Sequence, residues 1–532
     1  MINVFGLAAD PEWDSLQQNI DRSGQNPAVK NILGQVRRAG AISALVETDY
    51  LDRDFSDEFK AFYSTLFARF RRHTRRLHFF ACDAENFFRA EMTATDTANA
   101  LTAASQSGQY LGFIVIRPVE HAPLGKAILR VLESPADAHA SQRVRADYVA
   151  HVLGAKLRIT DATPFTQQDS RVSACAQASI WVAGRHIHAK HGGPWISTVA
   201  ITEAASKPTD ETLASSLPAG AGGLSTSNMI RAIRAMDRYP LAYSARVTLL
   251  PDQRILKVWP NTLDPVSIVA RYVNSGIPVI LCLLPFPGQT TGHAVVATGT
   301  IYKQLPAGTF ARQKPDISEF IEHFLVQDDQ RGINLRMPKT AATAGDTQYN
   351  FADFVYCVLV PLPDKVFLTA EIAERIAWDQ LERYRHDWPR LKENIPNAPA
   401  IAHGDAILSA LANNEVAART YLTRGWRHIE RLVESEASEV LKKDASRHEL
   451  PRMAWVTEFS TKTGSNHLNP AARRIFGYCL SDATAIPFQP PLALHLPGFL
   501  WLRAPATPDF YAKTEEKLFP IADDRMYALR RN

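Results

Sequence analysis

Apolar positions along the chain change their period several times, and each change predicts an element. From Ser56 the residues Phe59, Tyr63, Leu66 and Phe70 recur at helical spacing behind Asp57 and Glu58, which predicts an amphipathic helix. It ends in the cations Arg69, Arg71, Arg72, Arg75 and Arg76, which suit the negative pole of a helix. Tyr110 to Arg117 is a strand-like run closed by Pro118. A helix is predicted to begin near Cys175, to carry Ile180, Trp181, Val182 and Ile187, and to stop at Gly192, Gly193 and Pro194. Lys207 to Ser227, rich in Pro, Gly, Ser and Thr, reads as a surface loop, and Met229 to Met236 as a further helix.

Beyond this point the pattern becomes strand-like. Ile277 to Leu284 is a continuous apolar run short enough for a buried strand, and Gly292 to Tyr302, opened by His293, follows with β-branched residues. After a polar insertion from Lys303 to Glu319, Phe324 to Gln327 gives a third strand, ending at Asp328 and Asp329. Such an arrangement brings His293 and Asp328 to one end of a sheet. Phe354 to Val360 predicts another strand. Two stripes at helical spacing follow, one through Ala373, Ala377, Leu381, Tyr384 and Trp388, the other through Leu422, Trp426, Ile429 and Val433, and both read as packing faces. Strand-like segments return at Arg474 to Leu480 and Phe499 to Arg503.

A chain of 532 residues exceeds one ordinary core. The pattern divides it into an N-terminal α/β region, 1–163, a central domain, 164–345, and a helix-rich C-terminal region with terminal strands, 346–532, an α+β protein as a whole. The net charge is only +4 and no dense Lys/Arg tract is present, so nucleic acid is not an expected partner. No apolar run is long enough for a membrane span, and the first residues lack a secretory pattern, so a cytoplasmic location is expected. Five cysteines, an odd and scattered set, suit free thiols in a reducing compartment. The sequence has neither a phosphate-binding glycine loop nor metal-spaced cysteines, and no cofactor or metal is expected. His186, His188 and His191 lie near the end of the Cys175 helix, where residues two apart point to opposite sides.

Four cysteines (Cys82, Cys282, Cys357 and Cys479) sit among large apolar neighbours, whereas Cys175 follows a polar approach, Gln167 to Arg171, with Ser173 as a candidate N-cap. Unpaired N–H groups and the dipole at a helix start favour a thiolate over a thiol. A thiolate that attacks a carbonyl needs a base that later protonates the leaving group, a group that orients this base, and donors for the oxyanion. Cys175 is the candidate nucleophile, His293 the base and Asp328 the orienting carboxylate, with Asp329 as the alternative. Gln168 and the Cys175 backbone N–H are the candidate oxyanion donors.

This order of a helix-starting Cys175, a strand-starting GHAVVATG and a strand-ending FLVQDD resembles the papain-like cysteine peptidase fold, and is most similar to the branch that includes the bacterial double-glycine leader peptidases. The resemblance covers about residues 164–340. It implies a nucleophile helix packed on an antiparallel sheet that carries the base, with the flanking segments added to this core. The chain departs from the pattern at Asp169, where the family commonly has its oxyanion glutamine, and at Ala176, where glycine or tryptophan is frequent. The function implied is a peptidase or isopeptidase that hydrolyses a specific protein or peptide substrate through a Cys175 thioester, and acyl transfer uses the same groups. The alternative is an inactive papain-like domain that binds a protein partner through its flanking regions.

Overall fold

The computed structural model describes residues 2–67, 69–130, 141–169, 175–207, 224–251, 255–286, 289, 291–303, 310–395, 398–446, 450–462, 474–486, 489–503 and 517–520. The architecture is mixed α and β, and its large sheets are antiparallel. The N-terminal sheet runs in the order Ile2–Gly6, Ser43–Tyr50, Thr74–Phe80, Tyr110–Ile116, Leu124–Arg130, Ala155–Phe165, Ala146–Val152. The central sheet runs Gly332–Pro338, Ile321–Asp328, His293–Tyr302, Val279–Leu283, Val355–Pro363, Arg238–Ser244. A C-terminal meander starts with Val416–Arg424, Met453–Thr461 and Gly477–Asp482.

The central sheet explains the unbroken apolar runs in its sequence, because it is covered on both faces. Ile280, Cys282, Ala294, Val296, Cys357 and Leu359 pack against the helix Cys175–His191. Alternate residues of the same strands, among them Leu281, Val295 and Val358, join a second core with Ile268 and Tyr272 of the helix Pro265–Asn274. Every side chain of Val279–Leu283 and His293–Tyr302 is therefore buried.

Two strands of this sheet lie outside the limits 164–345. Val355–Pro363 pairs Val279–Leu283, with Cys282 opposite Cys357, and Ser141–Arg143 pairs Gly299 to Ile301. The chain thus leaves and re-enters the central sheet from both flanks. In sequence these strands are indistinguishable from those of their neighbours, because what assigns them is pairing over long separations.

Two helical expectations are corrected. The amphipathic helix stops at Ala61, where Phe62 leaves helical geometry, and Arg75 and Arg76 belong to the strand Thr74–Phe80. Arg76 is buried and paired with Glu47 of the adjacent strand, so it is no solvated helix end. Of the second aromatic stripe, Leu422 lies on a strand, and the helix Gly425–Glu434 turns His428, Arg431 and Leu432 inward. Trp426 and Val433 are 55% and 50% exposed, so that stripe is not a packing face. The first stripe is buried from Ala373 to Trp388 along the helix Ala370–Leu391.

Candidate active site

The helix Cys175–His191 begins with the half-buried Cys175 and is buried along most of its length. Ser179 Oγ donates to the Ala294 carbonyl at 3.0 Å, which fixes the first turn of this helix against the strand that starts at His293. Cys175 lies close enough to His293 to contribute to holding its ring in the charged form. His293 Nε2 lies 3.1 Å from Asp328 Oδ1, so the ring nitrogen left for the thiol is Nδ1. The tautomer follows: an N–H on Nε2 donates to the carboxylate.

Asp328 is held from several sides. Tyr349 donates to its Oδ2 at 2.6 Å, and the Gln330 backbone N–H donates to Oδ1 at 3.0 Å. Burial raises its acidity threshold, but hydrogen bonds to and the charge of His293, with the Tyr349 and Gln330 bonds, outweigh it and keep the carboxyl below its ordinary value. For His293 burial opposes the charged ring. The bond to Asp328, the nearby Cys175 and the charges of Asp328 and Asp329 prevail, and hold the ring well above the usual imidazole range. Phe286 stacks on Tyr349 at 5.6 Å between centroids and lies 6.2 Å from the His293 ring, giving the dyad an aromatic wall.

Asp329 takes a different position. Its oxygens are buried without a hydrogen-bond partner, and Oδ1 lies 3.8 Å from His293 Nε2. Burial pushes its carboxyl up to about 7, with His293 opposing and Asp328 adding to the shift. The hydrogen bond to the ring therefore belongs to Asp328. His293, Asp328 and Asp329 also bring ligand-type atoms within 4.8 Å of one another, the one such group among the described residues, and Asp329 would be the free donor to a cation placed there. The histidines of the Cys175 helix do not converge: His186 is buried beside Thr163, and the His188 Nδ1 pairs with the Gly193 carbonyl at 2.8 Å.

Of the polar approach, Gln167, Gln168 and Asp169 are among the described residues and differ in what they touch, whereas Ser170 and Arg171 lie outside them. Gln167 is committed to the fold, since its Oε1 accepts from the Leu124 N–H and its Nε2 donates to Asn26 Oδ1 at 3.0 Å. Asp169 accepts from the Tyr63 hydroxyl. Gln168 is half-buried and lines a cleft of about 880 Å³. Ser173, the candidate N-cap, lies outside the described residues.

The cleft reaches the site at Asp329, which lies 3.8 Å from His293 Nε2. Asp329 and Gln330 line it together with Gln168, and its opposite wall comes from Asn26, Glu120 and His121 of the N-terminal region. The N-terminal region also holds the site in place. Arg117 donates to the Gln167 carbonyl at 2.7 Å and pairs with Glu58 at 2.9 Å. Asp54 takes Arg185 and Trp181 of the cysteine helix at 2.6 and 3.3 Å, and Lys126 at 3.0 Å. Asn31 Oδ1 accepts the Ile333 N–H at 2.8 Å, and Gly332 has φ +124° with Asn31 so close that an added Cβ would collide. This seats the helix Pro27–Arg38 on the turn that follows Asp328.

Sequence reasoning missed Tyr349, Phe286, Arg117, Asn31 and Asp54. Tyr349, Arg117, Asn31 and Asp54 act through partners more than twenty residues distant, Phe286 faces His293 and stacks on Tyr349, and no local pattern marks them. No protein-family model matches this chain, and no curated protein matches it. Among the described residues no helix is long and apolar enough to cross a membrane.

Proposed function

We propose that the chain is a papain-like cysteine peptidase or isopeptidase that hydrolyses a specific protein substrate through a thioester on Cys175. The observation that carries this reading is the Cys175–His293–Asp328 relay, in which the ring bridges a helix-starting thiol and a buried, fully bonded carboxylate. The thiolate sulfur attacks the substrate carbonyl carbon, and a C–S bond forms as the carbonyl oxygen takes the negative charge. Gln168 and the Cys175 N–H are the proposed donors to that oxygen. Collapse breaks the C–N bond, and the proton on His293 goes to the leaving amine. His293, now neutral, takes a proton from water as the water attacks the thioester. The C–S bond breaks, the acid product leaves, and the imidazolium–thiolate pair is restored.

The cleft supports a selected substrate over general digestion. The cleft that carries Gln168 and Asp329 is walled by the N-terminal region, a part of the chain outside the helix and sheet that would add substrate contacts beside the site. All five cysteines are free thiols, which suits a reducing, cytoplasmic setting.

The test is covalent trapping with an electrophilic peptide library read by intact mass. One adduct per chain is expected at Cys175, lost in Cys175→Ala and strongly dependent on peptide sequence. Adducts that persist in Cys175→Ala would contradict the proposal.

A further inference from the structure

A second cavity lies at the far end of the cysteine helix, between it and the C-terminal region. It holds about 80 Å³, several times what one water needs, and three cations, Lys190, Arg424 and Arg427, line it with Ser275, Thr423 and His191, whose ring burial and the neighbouring cations push down to about 3. Lys190 and His191 come from the last turn of the helix Cys175–His191, and Arg424 and Arg427 from the start of the helix Gly425–Glu434. The chain carries 59 Lys and Arg against 55 Asp and Glu, so such an excess at one spot is a local feature. Elsewhere the buried Lys126 lies between Asp52 and Asp54, and the half-buried Arg271 pairs with Asp316 and Glu374. Among the described residues no carboxylate pairs with Lys190, Arg424 or Arg427.

Three further features suit an anion. Gly276, at φ +71°, lies where a Cβ would collide with Lys190 Nζ, so glycine leaves the ammonium its place beside the cavity. Arg424 is the N-cap of its helix and offers no capping side chain; the Gly425 N–H donates to the Arg452 carbonyl, which leaves the Trp426 and Arg427 N–H groups as the donors at this helix start. Burial, together with Arg427, Arg431 and Arg424, pushes the Lys190 ammonium down to about 8, the mark of a cation that lacks a counter-charge.

We propose that this cavity binds a phosphate group, free or carried as a monoester on a small molecule, clamped between the cysteine helix and the C-terminal region. Arginine forks and a lysine point charge match a tetrahedral dianion better than a single carboxylate, and helix-start N–H groups complete the shell. The proposal is independent of the chemistry at Cys175.

The experiment is thermal unfolding and calorimetric titration with inorganic phosphate, against potassium chloride at equal ionic strength, on the full chain. Wild type is expected to bind saturably and to gain about 2 °C or more at saturation. Arg427 is exposed, so Arg427→Ala is expected to fold and to bind about tenfold or more weakly, the loss of one charge-assisted hydrogen bond. Lys190→Met is expected to do the same. Arg427→Glu places an anion in the cavity and is expected to unfold at a higher temperature than wild type in phosphate-free buffer and to lose the response. Phenyl phosphate separates the sources: tighter binding than phosphate assigns a monoester, equal or weaker binding the free ion. A chloride response equal to that of phosphate, or unchanged phosphate affinity in both Arg427→Ala and Lys190→Met, overturns the proposal.

Discussion

His293 Nε2 sits 3.1 Å from Asp328 Oδ1 and 3.8 Å from Asp329 Oδ1, so two adjacent carboxylates share one ring and only the first is hydrogen-bonded to it. The two carboxyls are driven in opposite directions, Asp328 below its ordinary value and Asp329 up to about 7. Divergent environments of this kind assign different roles to neighbouring acids.

Asp328 is therefore expected to control the reactivity of Cys175. Asp328→Ala releases the ring and is expected to slow alkylation of Cys175 on the order of a hundredfold at mildly acidic pH. Asp328→Asn keeps an acceptor for Nε2 but removes the charge, so labelling is expected to persist while its acid limb moves to higher pH. Asp329→Asn is expected to change the rate less than either. Stopped labelling followed by mass measurement reads all three.

Stability is expected to follow pH with opposite signs at these groups. His293 is raised, so its contribution is full below about pH 6.5 and lost as pH rises through its folded value. Asp328 is lowered, so its contribution is present above 3.8 and lost as pH falls through its folded value. Asp329 is raised from 3.8 to about 7, so it binds a proton more tightly in the fold and its ionisation is a penalty that grows between those values. Asp329→Asn is expected to be near neutral below about pH 4 and to stabilise, by up to about 4 kcal/mol, above about pH 7. Denaturant midpoints at both ends of that window check the sign.

The N-terminal region is expected to be part of the catalytic unit. Asp54 is buried and binds Lys126 and Arg185, two cations that lose their shared partner in Asp54→Ala. That change is expected to cost about 3–5 kcal/mol, measured by chemical denaturation. A chain without residues 1–163 is expected to lose Cys175 reactivity as well, because Arg117 and Tyr63 fix the approach at Gln167 and Asp169.

The parts of the site that could be read in the sequence are those with a local signature. Cys175 stands out by its polar approach, and His293 and Asp328 by their places at the ends of short apolar runs. The helix and strands there are buried on nearly every side, so composition and length mark them without partner information. What could not be read depends on distant pairing. Arg76 looks like the basic end of a helix until Glu47 is placed beside it, and Trp426 looks like a core aromatic until the helix is seen to turn Leu432 inward. Asn26 and His121 carry no sign that they face the cleft beside Gln168, since their wall is made by a separate sheet and its helices.

The most direct measurement is the rate of alkylation at Cys175 from about pH 5 to about pH 9, compared in wild type, Cys175→Ala and His293→Ala by intact mass. The account expects selective modification of Cys175 that persists well below about pH 8 and weakens strongly in His293→Ala. Uniform slow modification of several cysteines, with the same pH profile in wild type and His293→Ala, would contradict it.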